Sequence, residues 1–340
     1  MTHGFDPNAA MIGGGIYGLP HTPDEAEVVL IPVPWEATVT WGTGTRNGPQ
    51  AILDASRQID LQDRETGTPY ERGIAMLPIP KDLAAKSDEA RRLAEPVVAA
   101  GGPVNPELAK AVERVDALCE EMNAWVYNRA EVWLEKGKLV GAVGGDHSIP
   151  YGLIRAMSER HPGMGILHFD AHADLRNAYE GFTWSHASIM YNVVERLPGV
   201  AHLVQVGIRD FSPGENELIE GYDRIQTFFE DDLRARLLDG ETFSSLASEI
   251  VAALPETVYV SFDIDGLDPK LCPHTGTPVP GGLAFAEATA VIRRVASSGR
   301  KIVGFDLNEV APDPRGESMW DGNVGAHLLY KMIGFGLMTR

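Results

Sequence analysis

The chain has 340 residues, of which 44% are hydrophobic and 23% are charged, and its formal net charge is −19 at pH 7. This composition is typical of a globular protein with a large core, and a chain of this size needs no disulfides to fold. The acidic excess argues against nucleic acid and anionic membranes as partners, because both would repel it.

The first segment of the chain, residues 1–25, is rich in Gly and Pro and predicts an irregular arm ahead of a single domain over residues 26–340. This segment has no basic region followed by an apolar run, so no signal peptide is predicted. No window holds roughly 18 uninterrupted apolar residues, so no membrane span is expected. Cys119 and Cys272 lie far apart and in no metal-ligand spacing. They predict reduced thiols and a cytoplasmic protein.

After the arm, short apolar runs alternate with amphipathic segments. The segments 38–46 and 72–102 are predicted to be loop and connective chain. Strands that alternate with helices predict a three-layer α/β/α sandwich with a mainly parallel sheet. The predicted strands are 27–33, 138–143, 165–170, 203–207, 257–263 and 301–305. The predicted helices are 48–55, 105–136, 149–159, 243–254, 284–298 and 322–334.

Acidic and imidazole side chains concentrate directly after three of these strands, in the segments 144–148 (GGDHS), 170–174 (DAHAD) and 263–269 (DIDGLDP). In extended chain, residues at i, i+2 and i+4 point to the same side, so their side chains converge. The carboxyl ends of parallel strands are also where open α/β sheets bind ligands. The sequence therefore predicts a metal site with six candidate ligands: His147, Asp170, His172, Asp174, Asp263 and Asp265.

The composition of this ligand set indicates two divalent ions. Four carboxylates aimed at one point repel one another unless cations lie between them. Mixed nitrogen and oxygen ligands favour Mn²⁺, Ni²⁺, Co²⁺, Fe²⁺ or Zn²⁺ over Mg²⁺ and Ca²⁺. Two such ions would lower the pKa of a bridging water and provide hydroxide near neutral pH. Asp146 is interpreted either as a turn or cap residue or as part of the site. His168 and His202 are interpreted as packed or surface histidines.

At these three motifs the sequence resembles the ureohydrolase family, which includes arginase, agmatinase and guanidinobutyrase. The resemblance extends from about residue 28 to the C-terminus. It implies a trimer or hexamer and hydrolysis of a guanidino C–N bond, by attack of a metal-bridging hydroxide, to release urea. It also implies that Asp170 and Asp263 bridge the two ions. The implied terminal ligands are His147, Asp174, His172 and Asp265.

The resemblance further implies roles for residues outside the metal motifs. His186 matches a mobile histidine that passes a proton to the leaving amine, and we count it with Asp174 and Glu309 as catalytic. Glu309 matches the carboxylate that holds the guanidinium, and Thr277 matches a threonine lining the guanidinium pocket. A carboxylate suits this task because it can pair with a planar cation through two hydrogen bonds.

The segment 176–190 is expected to recognise the rest of the substrate, with Arg176 and Trp184 as substrate-binding residues. Bulky residues there disfavour arginine, and Trp184 could cover a small cation with its π face. Together with residues 41–48, 58–61 and 270–273, this segment resembles the branch that acts on guanidine or similarly small guanidines and prefers nickel. Agmatinase, which shares the Asp174-Leu175-Arg176 sequence, is the alternative, and biguanides are a further one.

Two other readings remain open. Deacetylase-like proteins share this type of fold, but they use one metal and lack the paired Asp263 and Asp265 motif in this form. A non-catalytic partner subunit of a hetero-oligomer is the alternative outside the enzymes. Such a subunit would be expected to hold fewer than two ions per chain.

Overall fold

A computed structural model describes residues 5–9 and 14–340 and contains one sheet in which every paired strand is parallel. The spatial order of the strands is β2-β1-β3-β8-β7-β4-β5-β6. The strands are β1 (Val28–Val33), β2 (Ile74–Met76), β3 (Leu139–Gly144), β4 (Met164–Phe169), β5 (Val200–Ile208), β6 (Ile225–Phe229), β7 (Thr257–Asp263) and β8 (Lys301–Asn308).

Helices cover both faces of the sheet, which gives three layers. Residues from α1 and α7–α10 pack in one core and residues from α2–α5 in the other. The helices are α1 (Gly48–Ala55), α2 (Lys81–Ala99), α3 (Pro106–Leu134), α4 (Tyr151–Arg160), α5 (Ile189–Arg196), α6 (Pro213–Gly221), α7 (Glu230–Leu238), α8 (Phe243–Ala252), α9 (Phe285–Ser297) and α10 (Trp320–Met338).

The central strands are apolar on both faces because each face is covered. In β4, Leu167 and Phe169 belong to one core, while Met164 and Ile166 belong to the other. Strands buried in this way form continuous apolar runs, which is the pattern expected of parallel sheets. The predicted α/β/α architecture is confirmed.

Each of the six predicted strands is present, but the two edge strands, β2 and β6, were not predicted. β2 has three residues and lies in a proline-rich region, so it carries too little pattern to be recognised. In β6, Gln226 is exposed and Thr227 is half-buried, since an edge strand has a neighbour on one side only. The short helices α5, α6 and α7 were not predicted either.

The prediction that residues 72–102 are connective chain is wrong, because α2 occupies most of this segment. The buried face of α2 is made mostly of small or weakly apolar residues, including Ser87, Ala90 and Ala94. Its N-cap, Pro80, offers no side-chain hydrogen bond, and Pro96 lies near its end. The usual signals for the start and interior of a helix are therefore missing. By contrast, Asn105 caps α3 as predicted, accepting hydrogen bonds from the backbone of Glu107 and Leu108.

Part of the predicted N-terminal arm lies outside the described residues. In the described part, Ile16–Gly18 forms one 3₁₀ turn whose Tyr17 side chain is fully buried. The Tyr17 hydroxyl donates to the carbonyl of Ala326 at 3.1 Å, so this turn is fastened to α10. Among the described residues, no helix combines the length and the apolar character needed to cross a bilayer.

Candidate active site

The strand order brings four functional loops together. β3, β8, β7 and β4 are consecutive neighbours in the middle of the sheet. Their carboxyl ends lead into the segments that begin at Gly145, Glu309, Ile264 and Asp170. Gly145 is required in this arrangement, because a Cβ there would lie 2.2 Å from the carbonyl oxygen of Trp35. Residues that are far apart in sequence therefore meet at one edge.

The six predicted metal ligands form two overlapping clusters around Asp170. The His147 Nδ1 atom lies 2.9 Å from Asp170 Oδ2, 3.1 Å from Asp263 Oδ2 and 3.3 Å from Asp174 Oδ2. The His172 Nδ1 atom lies 3.4 Å from Asp170 Oδ1 and 3.2 Å from Asp265 Oδ2. Asp170 is the carboxylate that both clusters share, as expected of a bridging ligand.

Backbone N–H groups orient three of these carboxylates. Asp170 Oδ1 accepts from His172 N at 2.6 Å, Asp263 Oδ1 from Asp265 N at 2.9 Å, and Asp265 Oδ1 from Ala171 N at 3.0 Å. A carboxylate oxygen that accepts one hydrogen bond keeps a second lone pair for a cation. The short spacing of each motif thus supplies both the ligand and part of its support.

The electrostatics of the cluster fit divalent cations. Burial, followed by the charge of Asp170, raises the pKa of Asp174 well above its ordinary value. Burial and the charges of Asp265 and Asp170 do the same for the pKa of Asp263. Although burial acts to lower the pKa of His147, hydrogen bonds to Asp170 and Asp263 raise it well above the ordinary value. These carboxylates and imidazoles need positive charge between them, and with oxygen and nitrogen donors they suit two borderline metal ions.

This protonation pattern makes the stability of the metal-free chain depend on pH. The pKa values of Asp174, Asp263, His147 and His172 are all raised, so the folded chain retains protons that the unfolded chain has released. This stabilisation is lost as the pH rises through the folded-state pKa values. The pKa of Asp170 is lowered instead, so this residue changes the stability only at more acidic pH. Bound cations would take the place of these protons.

We therefore expect metal to raise the Tm more at about pH 8 than at about pH 6, since protons stabilise the metal-free chain at the lower pH. Scanning calorimetry of chelated and reconstituted protein at both pH values would measure this difference. An increase in Tm that is equal at the two pH values would contradict the assignment of positive charge to this cluster.

Glu309 lies beside the metal cluster and is almost fully buried. Its Oε1 atom accepts from His147 N at 2.9 Å, and a Cβ at Gly276 would lie 3.2 Å from Oε2. Glu309 and Asp174 both have positive φ angles, 60° and 54°, which is uncommon for residues other than glycine and typical of constrained functional positions. Burial, followed by the charges of Asp263 and Asp146, raises the pKa of Glu309 well above its ordinary value.

A cleft of about 160 Å³ opens next to these groups. Residues 38–42 lie beside it, where Gly42 N donates to Gly276 O at 3.0 Å. The His186 ring is held by Thr38, whose hydroxyl lies 3.0 Å from Nδ1 and accepts from His186 N at 3.2 Å. Besides metal ligands, the cleft is lined by Thr40, Arg176, Tyr179, His186, Ala187, Asp210, Glu215, Thr277 and Glu309. The predicted site residues His186, Glu309, Thr277 and Arg176 are thus all brought to this cleft.

Trp184 is the predicted site residue that the structure does not bring to the cleft. Its ring packs edge-on against Tyr151, at 4.7 Å between centroids, and lies under the guanidinium of Arg196. Its Nε1 atom donates to Glu120 at 3.4 Å, and it lines a separate surface cavity near α3 and α4. The side chain therefore lines that separate cavity and not the cleft beside the candidate metal ligands, so its predicted contact with substrate stays a prediction that this placement does not support.

The placement of Trp184 predicts a different result from the one expected of a substrate-binding residue. We expect Trp184→Ala to leave the ratio of kcat/KM for guanidine and agmatine unchanged, because the ring does not line the cleft. The variant should lose about 3 kcal/mol of unfolding free energy, since the ring is 91% buried (9% exposed). Denaturant unfolding and steady-state kinetics would test both parts. A ratio that moves toward agmatine would restore a role for Trp184 in substrate selection.

Several contacts of buried polar residues near the site were missed in the sequence. His168 is fully buried, which agrees with the packed alternative, but its Nε2 atom also lies 2.9 Å from Asp170 Oδ2, a contact that the sequence did not indicate. The Ser261 hydroxyl lies 3.0 Å from His147 Nε2 and also contacts Asp306 Oδ1, at 2.9 Å. One available signal was a polar residue two positions before the aspartate in the apolar runs that form β4 and β7.

Asp146 supports the site without entering the cleft. Its Oδ2 atom accepts from Ala37 N at 3.0 Å, and its Oδ1 atom accepts from the backbone and hydroxyl of Ser148. Burial raises the pKa of Asp146 to about 6. The structure thus favours a turn residue that fastens the segment before Thr38, rather than a ligand, between the two interpretations left open by the sequence.

A sheet that gathers six candidate metal ligands at one edge, beside a cleft with a buried carboxylate, fits the class of metal-dependent hydrolases with a three-layer α/β/α fold. Comparison with known proteins identifies the family. The protein-family model described as "Arginase family" matches residues 26–334 of the sequence, so the chain belongs to the arginase family. It is a hydrolase that acts on the C–N bonds of linear amidines, with a binuclear metal site.

Individual relatives support this assignment. The chain is 32% identical to the N(1)-aminopropylagmatine ureohydrolase of Thermus thermophilus, covering 94% of each protein. It is also 32% identical to the agmatinase of Bacillus subtilis, covering 85% of each. The agmatine ureohydrolase of Thermoplasma volcanium has a similar fold, with a TM-score of 0.73 at 22% identity over 96% of this chain and 94% of that one.

Proposed function

We propose that the enzyme hydrolyses the C–N bond of a small guanidino compound, either guanidine or a similarly small guanidine or biguanide, and releases urea with ammonia or an amine. The observation that carries this proposal is the buried Glu309 carboxylate, placed between the metal cluster and a cleft of about 160 Å³. A carboxylate in this position suits a planar guanidinium, which it can bind through two hydrogen bonds.

The roles of the residues follow from their positions. His147, Asp170, His172, Asp174, Asp263 and Asp265 would hold two cations, Ni²⁺ or Mn²⁺. When bound, these cations would lower the pKa of water and supply a nucleophile near neutral pH. Glu309, with Thr277 beside it in the cleft, would orient the guanidinium carbon toward the metal ligands. His186 would carry a proton to the departing nitrogen, which leaves as ammonia or an amine.

The small size of the cleft favours a substrate with a short tail. Thr40 lines the cleft, and the hydrogen bond from Gly42 N to Gly276 O holds the segment that contains Thr40 close to Glu309. The arginine that lines the cleft, Arg176, stacks on Tyr179, and its Nε atom lies 3.5 Å from Glu215 Oε2. Arg176 is thus already paired, and it offers little to a substrate carboxylate such as that of arginine.

Agmatine is the second candidate, and one observation favours it. Asp210 lines the cleft, is exposed, and makes no ion pair with any described residue. A carboxylate there could attract the terminal ammonium of agmatine, and two relatives are named for agmatine-type substrates. The same carboxylate would do little for guanidine, whose single charge would already be paired with Glu309.

A substrate screen would decide between the two candidates. We expect the highest kcat/KM for urea release with guanidine or a biguanide, among substrates that also include agmatine, 4-guanidinobutyrate and arginine. In parallel, Asp210→Asn should lower kcat/KM for agmatine by about twofold to fivefold, the effect of one exposed ion pair, and leave guanidine unchanged. A wide preference of the parent enzyme for agmatine or arginine would reject the small-substrate proposal.

We further propose a cytoplasmic homo-oligomer, a trimer or hexamer, with two metal ions per chain. Support for the metal count comes from the shared position of Asp170 in both ligand clusters. Metal analysis after reconstitution with Mn²⁺ or Ni²⁺, combined with light scattering, would test the metal, its stoichiometry and the oligomer. Fewer than two ions per chain in a protein without turnover would instead support the partner-subunit alternative.

A further inference from the structure

We infer that a row of polar side chains across five strands, directly below the metal ligands, orients His147 and Asp170 by fixing where two imidazole rings carry their protons. This inference rests on the proposed binuclear site. The row runs in strand register, because each member is the Cα partner of the next across the sheet. Its members, from β8 to β6, are Asp306, Ser261, His168, Gln205 and Thr227.

The row is unusual because it lies inside an apolar sheet. Asp306, Ser261, His168 and Gln205 are all fully buried, and Thr227 is half-buried at the edge strand. Burying such groups is costly unless each finds hydrogen-bond partners. A continuous polar row in this position therefore calls for a role beyond packing.

The Gln205 end of the row determines the proton position on His168. The Gln205 side chain has one atom 2.8 Å from the carbonyl of Ala173, and a carbonyl can only accept. That atom is therefore the amide nitrogen, Nε2, and its other hydrogen points to His168 Nδ1 at 3.0 Å. The amide oxygen correspondingly accepts from the Thr227 hydroxyl at 2.9 Å. Nδ1 of His168 is thus an acceptor, and the ring proton lies on Nε2.

This proton determines what Asp170 can offer to metal ions. His168 Nε2 donates to Asp170 Oδ2 at 2.9 Å, so His168 presents no lone pair to a cation and is not a ligand, although it lies among ligating groups. The other oxygen of Asp170 accepts from His172 N. Each oxygen of Asp170 consequently accepts one hydrogen bond from the protein and keeps a second lone pair for a cation. This arrangement is the one that a carboxylate bridging two ions needs.

The Asp306 end of the row acts on His147 in the same way. The Ser261 hydroxyl donates to Asp306 Oδ1 at 2.9 Å, and it lies 3.0 Å from His147 Nε2. Because its hydrogen points to Asp306, its lone pair accepts from His147 Nε2–H. When the ring is neutral, as a metal ligand must be, the lone pair of His147 then lies on Nδ1, the atom that faces Asp170 and Asp263. Partners that fix the tautomer of a ligating histidine in this way strengthen metal binding.

The inference is tested by measuring Mn²⁺ affinity of the full-length protein in competition with a chelator, without reference to turnover. His168→Leu, which removes the donor to Asp170, should weaken Mn²⁺ binding by about 10-fold to 100-fold. His168→Gln, whose amide nitrogen can reach Asp170, should restore most of the affinity. Ser261→Ala and Ser261→Thr form the equivalent pair at the other end. His202→Leu, at an exposed position on β5, is the matched control and should bind like the parent.

The paired variants separate positioning from packing. Equal affinity losses in His168→Gln and His168→Leu would overturn the inference, because the donor would then be irrelevant. So would a His168→Leu variant that binds Mn²⁺ within twofold of the parent. If His168→Leu does not fold, Thr227→Val at the half-buried end of the row should still bind Mn²⁺ several-fold more weakly, and unchanged affinity there would overturn the inference. The affinities can follow this pattern even if guanidino turnover is absent, which would reject the proposed function alone.

Discussion

Replacement of Asp263 by alanine is expected to abolish metal binding and activity together. Asp263 is buried at the end of β7, with Oδ2 3.1 Å from His147 Nδ1 and Oδ1 bonded to Asp265 N. A water molecule could fill the space, but it could not supply the negative charge with which Asp263 would hold two cations. We expect activity to fall by more than about 100-fold, beyond the effect of losing a residue that only orients a ligand.

The matched control for this change is Asp268→Ala, five residues further along the same segment. Asp268 is partly exposed, and its carboxylate accepts from Lys270 N at 3.0 Å rather than facing the metal cluster. This control should retain two ions per chain and nearly full turnover. Metal analysis together with urea release would measure both variants. An Asp263→Ala enzyme with two ions per chain and normal turnover would contradict the role of Asp263 as a bridging ligand.

Loss of His186 is expected to have the opposite signature, in which the metals remain but turnover falls. His186 lines the cleft and contacts Thr38, but it is not within ligand distance of the metal clusters. His186→Ala should therefore keep two ions and lower kcat by about 10²-fold to 10⁴-fold, the range for a lost acid–base group. Metal analysis and kcat, measured on the same preparation, would test the separation of these effects.

The protonation state of His186 sharpens this prediction. Burial, followed by the positive charges of His172 and His147, lowers the pKa of His186 to about 3. The ring is thus neutral near pH 7, so it must accept a proton during the reaction before it can deliver one. Supplying small imidazoles to His186→Ala should restore part of the turnover. Turnover that is unchanged at every pH in the variant would contradict a proton-transfer role.

Local spacing in the sequence was sufficient to predict the type of fold and which candidate ligands lie close together. Side chains two residues apart in extended chain share a side, so the DAHAD and DID motifs converge whatever surrounds them. Apolar runs of strand length, alternating with helices, likewise require a parallel sheet covered on both faces. These properties depend on neighbours along the chain, so the sequence alone is enough to predict them.

Edge elements and weakly amphipathic helices carry much less of this local information. β2 and β6 have a neighbour on one side only, and α2 buries small residues such as Ala90 and Ala94. Their stability comes from the surfaces they pack against, which include α3 in the case of α2. Tertiary packing therefore decided whether these segments became strands and helices.

The sequence by itself determined which residues could bind metal, while the tertiary structure decided which partners orient them. Glu309 reaches His147 N across 162 positions of sequence because β3 and β8 are neighbours in the sheet. The turn of the chain after Phe182 directs Trp184 away from the cleft, and strand register aligns His168 with Gln205. Such contacts depend on strand order and helix packing, because hydrogen bonds and van der Waals contacts act between atoms that are close in space, however far apart they are in sequence.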